Sequence, residues 1–166
     1  VVAESKVTYF EGYLWDPPRA KEAILACARI AHANRREMSM TLSDSFCVGR
    51  YRGEFLELMR SGAVDIVFAN RDEALSLYET QDFDLALTKI GADCKLAAVT
   101  MSEEGAMIVR GGERIHVPAT RIGQLVDTTG AGDLFAAGFL HGYTQGRSLE
   151  DCGRFGCLAA GIVIQQ

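Results

Sequence analysis

Apolar positions along this chain follow two periods, and the two alternate. Val7 to Tyr13 is a β-rich apolar run, and Met38 to Leu42 reads as a second strand. Asp65-Ile66-Val67-Phe68-Ala69 and Leu96 to Thr100 are short continuous apolar runs bounded by turn signals, the pattern of strands buried on both faces. Between these runs the spacing turns helical. Asp16-Pro17-Pro18 predicts a helix start, with Asp as N-cap and Pro at the first helical position. Ala20, Ala23, Ile24, Cys27, Ala28 and Ala31 form its apolar stripe. Arg52 to Arg60, Arg71 to Tyr78 and Phe83 to Ile90 read as further helices.

After Thr100 the pattern changes to local pairing. Ala106 to Arg110 and Glu113 to Val117 flank Gly111-Gly112, a two-residue hairpin signal. Two helices follow a loop, Ala131 to Gln145 and Leu149 to Ile164, and Ser148 with Asp151 makes a capping-box-like start for the second. Both are rich in Ala and Gly, which predicts close packing between them. Strand–helix alternation of this kind predicts an α/β fold: a Rossmann-like, mostly parallel sheet covered by helices, with a β-hairpin.

Composition narrows the function. The 166 residues fit one domain, and 48% hydrophobic with 23% charged residues is ordinary for a globular chain. Lys+Arg 17 against Asp+Glu 22 gives a net charge of −5, and no cluster of Lys and Arg appears, which argues against nucleic acid as a partner. Five cysteines (Cys27, Cys47, Cys94, Cys152, Cys157) with no CxxC pair predict reduced, packed thiols in a cytoplasmic protein. The opening Val1-Val2-Ala3-Glu4 has no initiator Met, and the close at Gly161-Ile162-Val163-Ile164-Gln165-Gln166 is uncapped. We therefore expect a stretch taken from partway through a longer polypeptide, without signal peptide or membrane span.

The chemistry concentrates in Val126-Asp127-Thr128-Thr129-Gly130-Ala131-Gly132-Asp133, which leads directly into a helix. Glycines at a helix start let the backbone approach a ligand, and the free N–H groups with the positive end of the dipole suit a phosphate. Asp133 falls in the first turn, where a carboxylate can accept a proton from a hydroxyl. The same residues also read as a tight turn with Asp133 stabilising the helix dipole. A dinucleotide fingerprint fits worse, because Phe135 stands where GxGxxG needs its third glycine, and no GxxxxGK[ST] is present. Asn70-Arg71-Asp72-Glu73 follows a buried strand and puts Asn70 and Glu73 on one helical face, a spacing that also serves as a bare capping device. Thr100-Met101-Ser102-Glu103-Glu104-Gly105 reads as a hairpin entry, since Gly105 precedes a strand.

Asp127 to Asp133, with Ala136-Ala137-Gly138-Phe139 after it, closely resembles the second signature of the PfkB carbohydrate-kinase family, which includes ribokinase and adenosine kinase. The resemblance implies a ribokinase fold and an ATP- and Mg2+-dependent transfer of phosphate to a hydroxyl of a sugar or nucleoside. It implies that Gly130, Ala131 and Gly132 form an anion hole and that Asp133 is the base. Asp127 and Thr129 match positions that hold a monovalent cation, K+ being the candidate. Asn70 and Glu73 match the family's N-x-x-E motif, which organises magnesium and the nucleotide phosphates. Thr100, Ser102 and Gly105 resemble its nucleotide-side T-x-G-x-x-G loop, with Ser102 in place of a glycine. Cys157 lies where many members carry an Asn near the adenine.

The resemblance spans nearly the whole chain, 1–166, but matches only the later, ATP-handling half of the family fold. The acceptor-binding residues, the Gly-Gly signature and the β-sheet lid belong to the earlier half. We expect these residues alone to lack turnover, and the lid allows a homodimer. Glu11-Gly12-Tyr13-Leu14 leans towards adenosine-kinase-like members. A non-catalytic ligand-binding relative is the alternative, and it predicts a damaged anion hole or a lost aspartate. A nicotinamide-dependent oxidoreductase is disfavoured by the missing glycine. His32, His116 and His141 have no second ligand at metal spacing, and His32, Arg35-Arg36 and Arg50-Tyr51-Arg52 read as solvated positions.

Overall fold

The structure is a computed structural model that describes residues 1–120 and 123–165. Its elements run β1 (Val7–Glu11), α1 (Pro18–Ala33), β2 (Glu37–Thr41), α2 (Ser45–Arg60), β3 (Ile66–Asn70), α3 (Arg71–Leu77), α4 (Phe83–Asp93), β4 (Leu96–Thr100), β5 (Ala106–Arg110), β6 (Glu113–Val117), α5 (Ala131–Thr144) and α6 (Leu149–Val163). The strands form one 6-stranded sheet in sequence order. β1 to β4 pair in parallel, and β5 and β6 add as an antiparallel hairpin turning at Gly111, whose φ is 57°.

The alternation of side chains along the inner strands builds two cores, one on each face. Val67, Ala69, Ala97, Val99 and Val109 point to the side covered by α1 to α4. Ile66, Phe68, Leu96, Ala98 and Ile108 point to the other, where α5 and α6 pack with Phe135 and Phe139. A Cβ on Gly138 would lie 2.5 Å from the Phe155 carbonyl oxygen, and one on Gly156 would lie 2.8 Å from the Phe135 ring. Those glycines let the two helices touch backbone to backbone, as their composition predicts. Four of the cysteines are buried and Cys27 is half-buried. Among the described residues no helix is long and apolar enough to cross a membrane.

Several boundaries differ from expectation, each for a visible reason. The first strand stops at Glu11, not Tyr13, and a 3-10 turn spans Gly12–Trp15. The chain bends there because Gly12 packs on the end of β2, where a Cβ would meet the Thr41 carbonyl oxygen at 2.8 Å. Asp16 does not cap α1. The helix begins at Pro18 with Pro17 in the cap position, and Asp16 pairs instead with Arg50 at 2.9 Å and accepts a hydrogen bond from Tyr51. Ala23, assigned to the stripe, is exposed.

Strand β2 begins and ends one residue earlier than expected. Helix α2 starts at Ser45 rather than Arg52, because Asp44 accepts a bond from Cys47 N at 2.6 Å, and it kinks at Tyr51. Helix α4 runs on to Asp93. Ser148 accepts from Asp151 N at 3.1 Å and donates to Asp151 Oδ2 at 2.8 Å, which is one half of a capping box. His32 is not simply solvated: its Nε2 lies 2.8 Å from Asp65 Oδ2, the oxygen that also accepts from Met38 N. Arg52 likewise donates to the Leu77 carbonyl at 2.9 Å.

Candidate active site

Parallel strands end together, and in open α/β sheets ligands bind at that carboxyl edge. Here the ends of β1 to β4 (Glu11, Thr41, Asn70, Thr100) open onto a cavity of about 990 Å3. Every residue the sequence assigns to the catalytic and nucleotide sets lines it, from Asn70 and Glu73 through Thr100, Ser102 and Gly105 to Gly130–Asp133 and Cys157. Asp127 and Thr129 are not among the lining residues.

At the start of α3, Asn70 and Glu73 close on each other. Glu73 N donates to Asn70 Oδ1 at 2.8 Å, while Asn70 N and Nδ2 donate to the Glu73 carboxylate at 2.9 and 2.7 Å. The capping box read from the spacing is therefore complete. Glu73 is only 4% exposed, and burial, with Asp44 and Asp72 adding, raises its pKa against the opposing pull of the Asn70 N–H.

The start of α5 is open by contrast. Side chains cap α2, α3, α4 and α6 (Asp44, Asn70, Asp82, Ser148), but Gly130 at the head of α5 offers none. Ala131 N is taken by the Thr128 carbonyl at 3.1 Å. The N–H groups of Gly132 and Asp133 have no hydrogen-bond partner among the described residues. This narrows the anion hole expected over Gly130 to Gly132, since Ala131 has no free donor.

The two glycines have different reasons. Gly130 sits at φ 77°, a left-handed turn that favours glycine. Gly132 is ordinary helix, and a Cβ there would meet nothing within 4 Å. No contact among the described residues explains that second glycine. It leaves open space beside N–H donors that have no partner among the described residues. Asp133, in the same first turn, is exposed beside them.

Ser102 adopts φ 52°, so the position that holds a glycine in the resembling loop is left-handed here too. Gly105 is fixed by packing, since a Cβ would come within 2.0 Å of the Val117 carbonyl oxygen. Both the hairpin-entry reading and the cavity-facing reading of this loop are thus realised. Cys157 is buried, and burial pushes its thiol up to about 11, leaving a neutral wall rather than a polar contact. Asp127 turns Oδ1 onto Thr129 N and Oγ1, each at 2.9 Å, which holds its carboxyl below the usual range. Among the described residues no group of three or more His, Cys, Asp or Glu is placed to hold a metal.

Sequence reasoning assigned no role to the acidic wall residues Glu11, Asp44 and Glu103. Asp44 lines the cavity while capping α2. Glu11 lines it too and accepts from the Tyr9 hydroxyl at 2.5 Å. Burial, that bond and the fields of Glu11 and Asp133 drive the Tyr9 pKa far above its ordinary value, so Asp133 and the Tyr9–Glu11 pair share one electrostatic neighbourhood. For Glu11 the available signal was positional: the last residue of each parallel strand lies at this edge.

A family model described as pfkB family carbohydrate kinase matches residues 1–166. A crystal structure described as a probable sugar kinase from Rhizobium etli CFN 42 superposes with TM-score 0.99 at 80% identity, over 100% of this chain and 50% of that one. The adenosine kinase from Sinorhizobium meliloti superposes with TM-score 0.98 at 74% identity, over 99% of this chain and 50% of that one. Cytidine kinase of Thermococcus kodakarensis is 39% identical over 124 residues, 70% of this chain and 44% of that protein. The chain spans about half the length of the relatives it matches.

Proposed function

Because this chain belongs to the pfkB family of carbohydrate kinases, we propose that residues 1–166 are the C-terminal, phosphate-handling part of an ATP-dependent kinase. Its acceptor is a hydroxyl of a nucleoside, adenosine-like in class, or of a related sugar. The observation that carries this reading is the open start of α5: two N–H donors without a partner among the described residues, a glycine whose Cβ would meet nothing within 4 Å, and a carboxylate in the same turn. Phosphoryl transfer requires positioning and charge stabilisation more than covalent machinery. Gly132 N–H and Asp133 N–H meet the equatorial oxygens of the transferring group, with the helix dipole behind them. The Asp133 carboxylate takes the acceptor's proton as its oxygen bonds to the γ-phosphorus and the bond to the β-phosphate oxygen breaks.

The residues present fit magnesium only indirectly. Both Glu73 oxygens are already engaged by Asn70, so this pair reaches a hydrated ion through water, as suits Mg2+ held chiefly by phosphates. When bound, the ion neutralises phosphate charge. Asp127 and Thr129 do not fit a monovalent cation by themselves: one carboxylate oxygen is engaged within the pair, and two side chains cannot enclose such an ion. The resemblance extends this proposal to a cytoplasmic enzyme that pairs through its lid.

The test is Asp133→Asn in the full-length protein, which keeps the shape and removes the proton acceptor. We expect kcat to fall about 10²–10⁴-fold with little change in ATP affinity and unchanged circular dichroism. Near-normal kcat leaves Asp133 a helix-start residue.

A further inference from the structure

Ser102 and Glu103 face the cavity from a 3-10 turn, Ser102–Glu104, that connects β4 to the hairpin. Ser102 is held at φ 52°, a strained conformation for a residue with a Cβ, and such strain persists only where the surroundings impose it. Backbone bonds close the turn, Gly105 N to the Ser102 carbonyl at 3.1 Å and Glu104 N to the Met101 carbonyl at 3.0 Å, and two side chains brace it at Glu104 from outside. Arg71, the first residue of α3, grips Glu104 through both ends of its guanidinium, Nη1 to Oε1 at 2.8 Å and Nη2 to Oε2 at 2.9 Å. The guanidinium also stacks over the Phe83 ring at 4.8 Å. His116 donates Nε2–H to the Glu104 carbonyl oxygen at 2.8 Å.

This arrangement has an electrostatic purpose as well as a geometric one. Glu103 and Glu104 are adjacent carboxylates beside a space that takes a polyphosphate in the proposed function. Arg71 neutralises Glu104 and turns it away, so that Glu104 is not among the cavity-lining residues. Arg71 directly follows Asn70, so one ion pair ties the wall built by Asn70 and Glu73 to the wall built by Ser102. We propose that Arg71 and Glu104 are positioning residues for the nucleotide, acting through the backbone of Ser102. This rests on the kinase reading of the same cavity.

The test is steady-state kinetics of the full-length protein with ATP and adenosine, for Arg71→Ala, Glu104→Gln and the exchanged pair Arg71→Glu/Glu104→Arg. An exposed bidentate pair predicts a modest effect. Each single change should raise KM for ATP about fivefold, with KM for adenosine and the melting temperature nearly unmoved. The exchanged pair should recover most of the loss. A lower melting temperature with unchanged KM for ATP, or equal rises in both KM values, makes the pair structural only and overturns the proposal. If the exchanged pair does not fold, the KM values of Glu104→Gln decide between the same two outcomes. Wild-type protein without phosphotransfer overturns the kinase reading together with the pair's role. An active wild type with unmoved variants overturns the pair alone.

Discussion

Helices α3 and α5 both start on the rim of one cavity, yet the start of α3 is closed by its own side chains and the start of α5 is left open. At α3 the Glu73 N–H and the Glu73 carboxylate are both engaged by Asn70. A helix end finished that way has its capping donor and its carboxylate already engaged. At α5 the donors of Gly132 and Asp133 go without a partner among the described residues, and the glycine above them fills no internal need. On the proposed reading the two ends divide the labour: α3 holds its shape around a buried acid, while α5 offers its N–H groups to an anion.

The sharpest way to break this contrast is Gly132→Ala. A methyl at α5 enters space that the chain itself leaves empty, so the helix gains up to about 1 kcal/mol from the better helix former. If that space belongs to the transferred phosphate, kcat/KM falls about tenfold to a hundredfold, towards the loss of one oxyanion donor. Activity kinetics and thermal melting of the same variant then move in opposite directions. Full activity with a raised melting temperature reduces the glycine to a turn residue.

Glu73→Gln sharpens the other side of the comparison. It replaces one of two acceptor oxygens with an amide, at a cost of about 1 kcal/mol. The folded-state pKa of Glu73 is raised above its ordinary 4.5 by burial, so its contribution to stability is full below that value and is lost as pH rises through the raised one. Gln does not titrate. Thermal melts should show the largest gap between wild type and variant near pH 4 and a narrowing gap towards neutrality. A gap that widens with pH means that the charged form is the stabilised one. A raised magnesium requirement in this variant supports the indirect role, whereas an unchanged one leaves only the cap.

These two helix starts were legible in the sequence for the same reason. Asn70 to Glu73 and Asp127 to Asp133 are contiguous stretches whose spacing fixes their geometry once a helix follows. β4, β5 and β6 were readable to the residue, because a continuous apolar run and a Gly-Gly hairpin are local signals. The remainder depends on partners far along the chain. The end of β1 is set by Gly12 meeting the Thr41 carbonyl. The grip of Arg71 on Glu104 spans 33 positions. Glu11 gains its meaning only when the sheet brings it to the cavity that Asp133 also lines. The start of α2 was missed although Asp44 was visible, because Phe46-Cys47-Val48-Gly49 reads as neither period.

The central claim, that α5 and not α3 supplies backbone donors to the phosphate, has a direct measurement: amide hydrogen exchange in the full-length protein with and without Mg·ATP. The Gly132 and Asp133 amides should exchange readily in the free protein and slow about tenfold or more when nucleotide binds, while the Glu73 amide, already bonded to Asn70 Oδ1 at 2.8 Å, stays where it was. Unchanged exchange at Gly132 and Asp133 under saturating nucleotide, or new protection at Glu73 instead, contradicts the account.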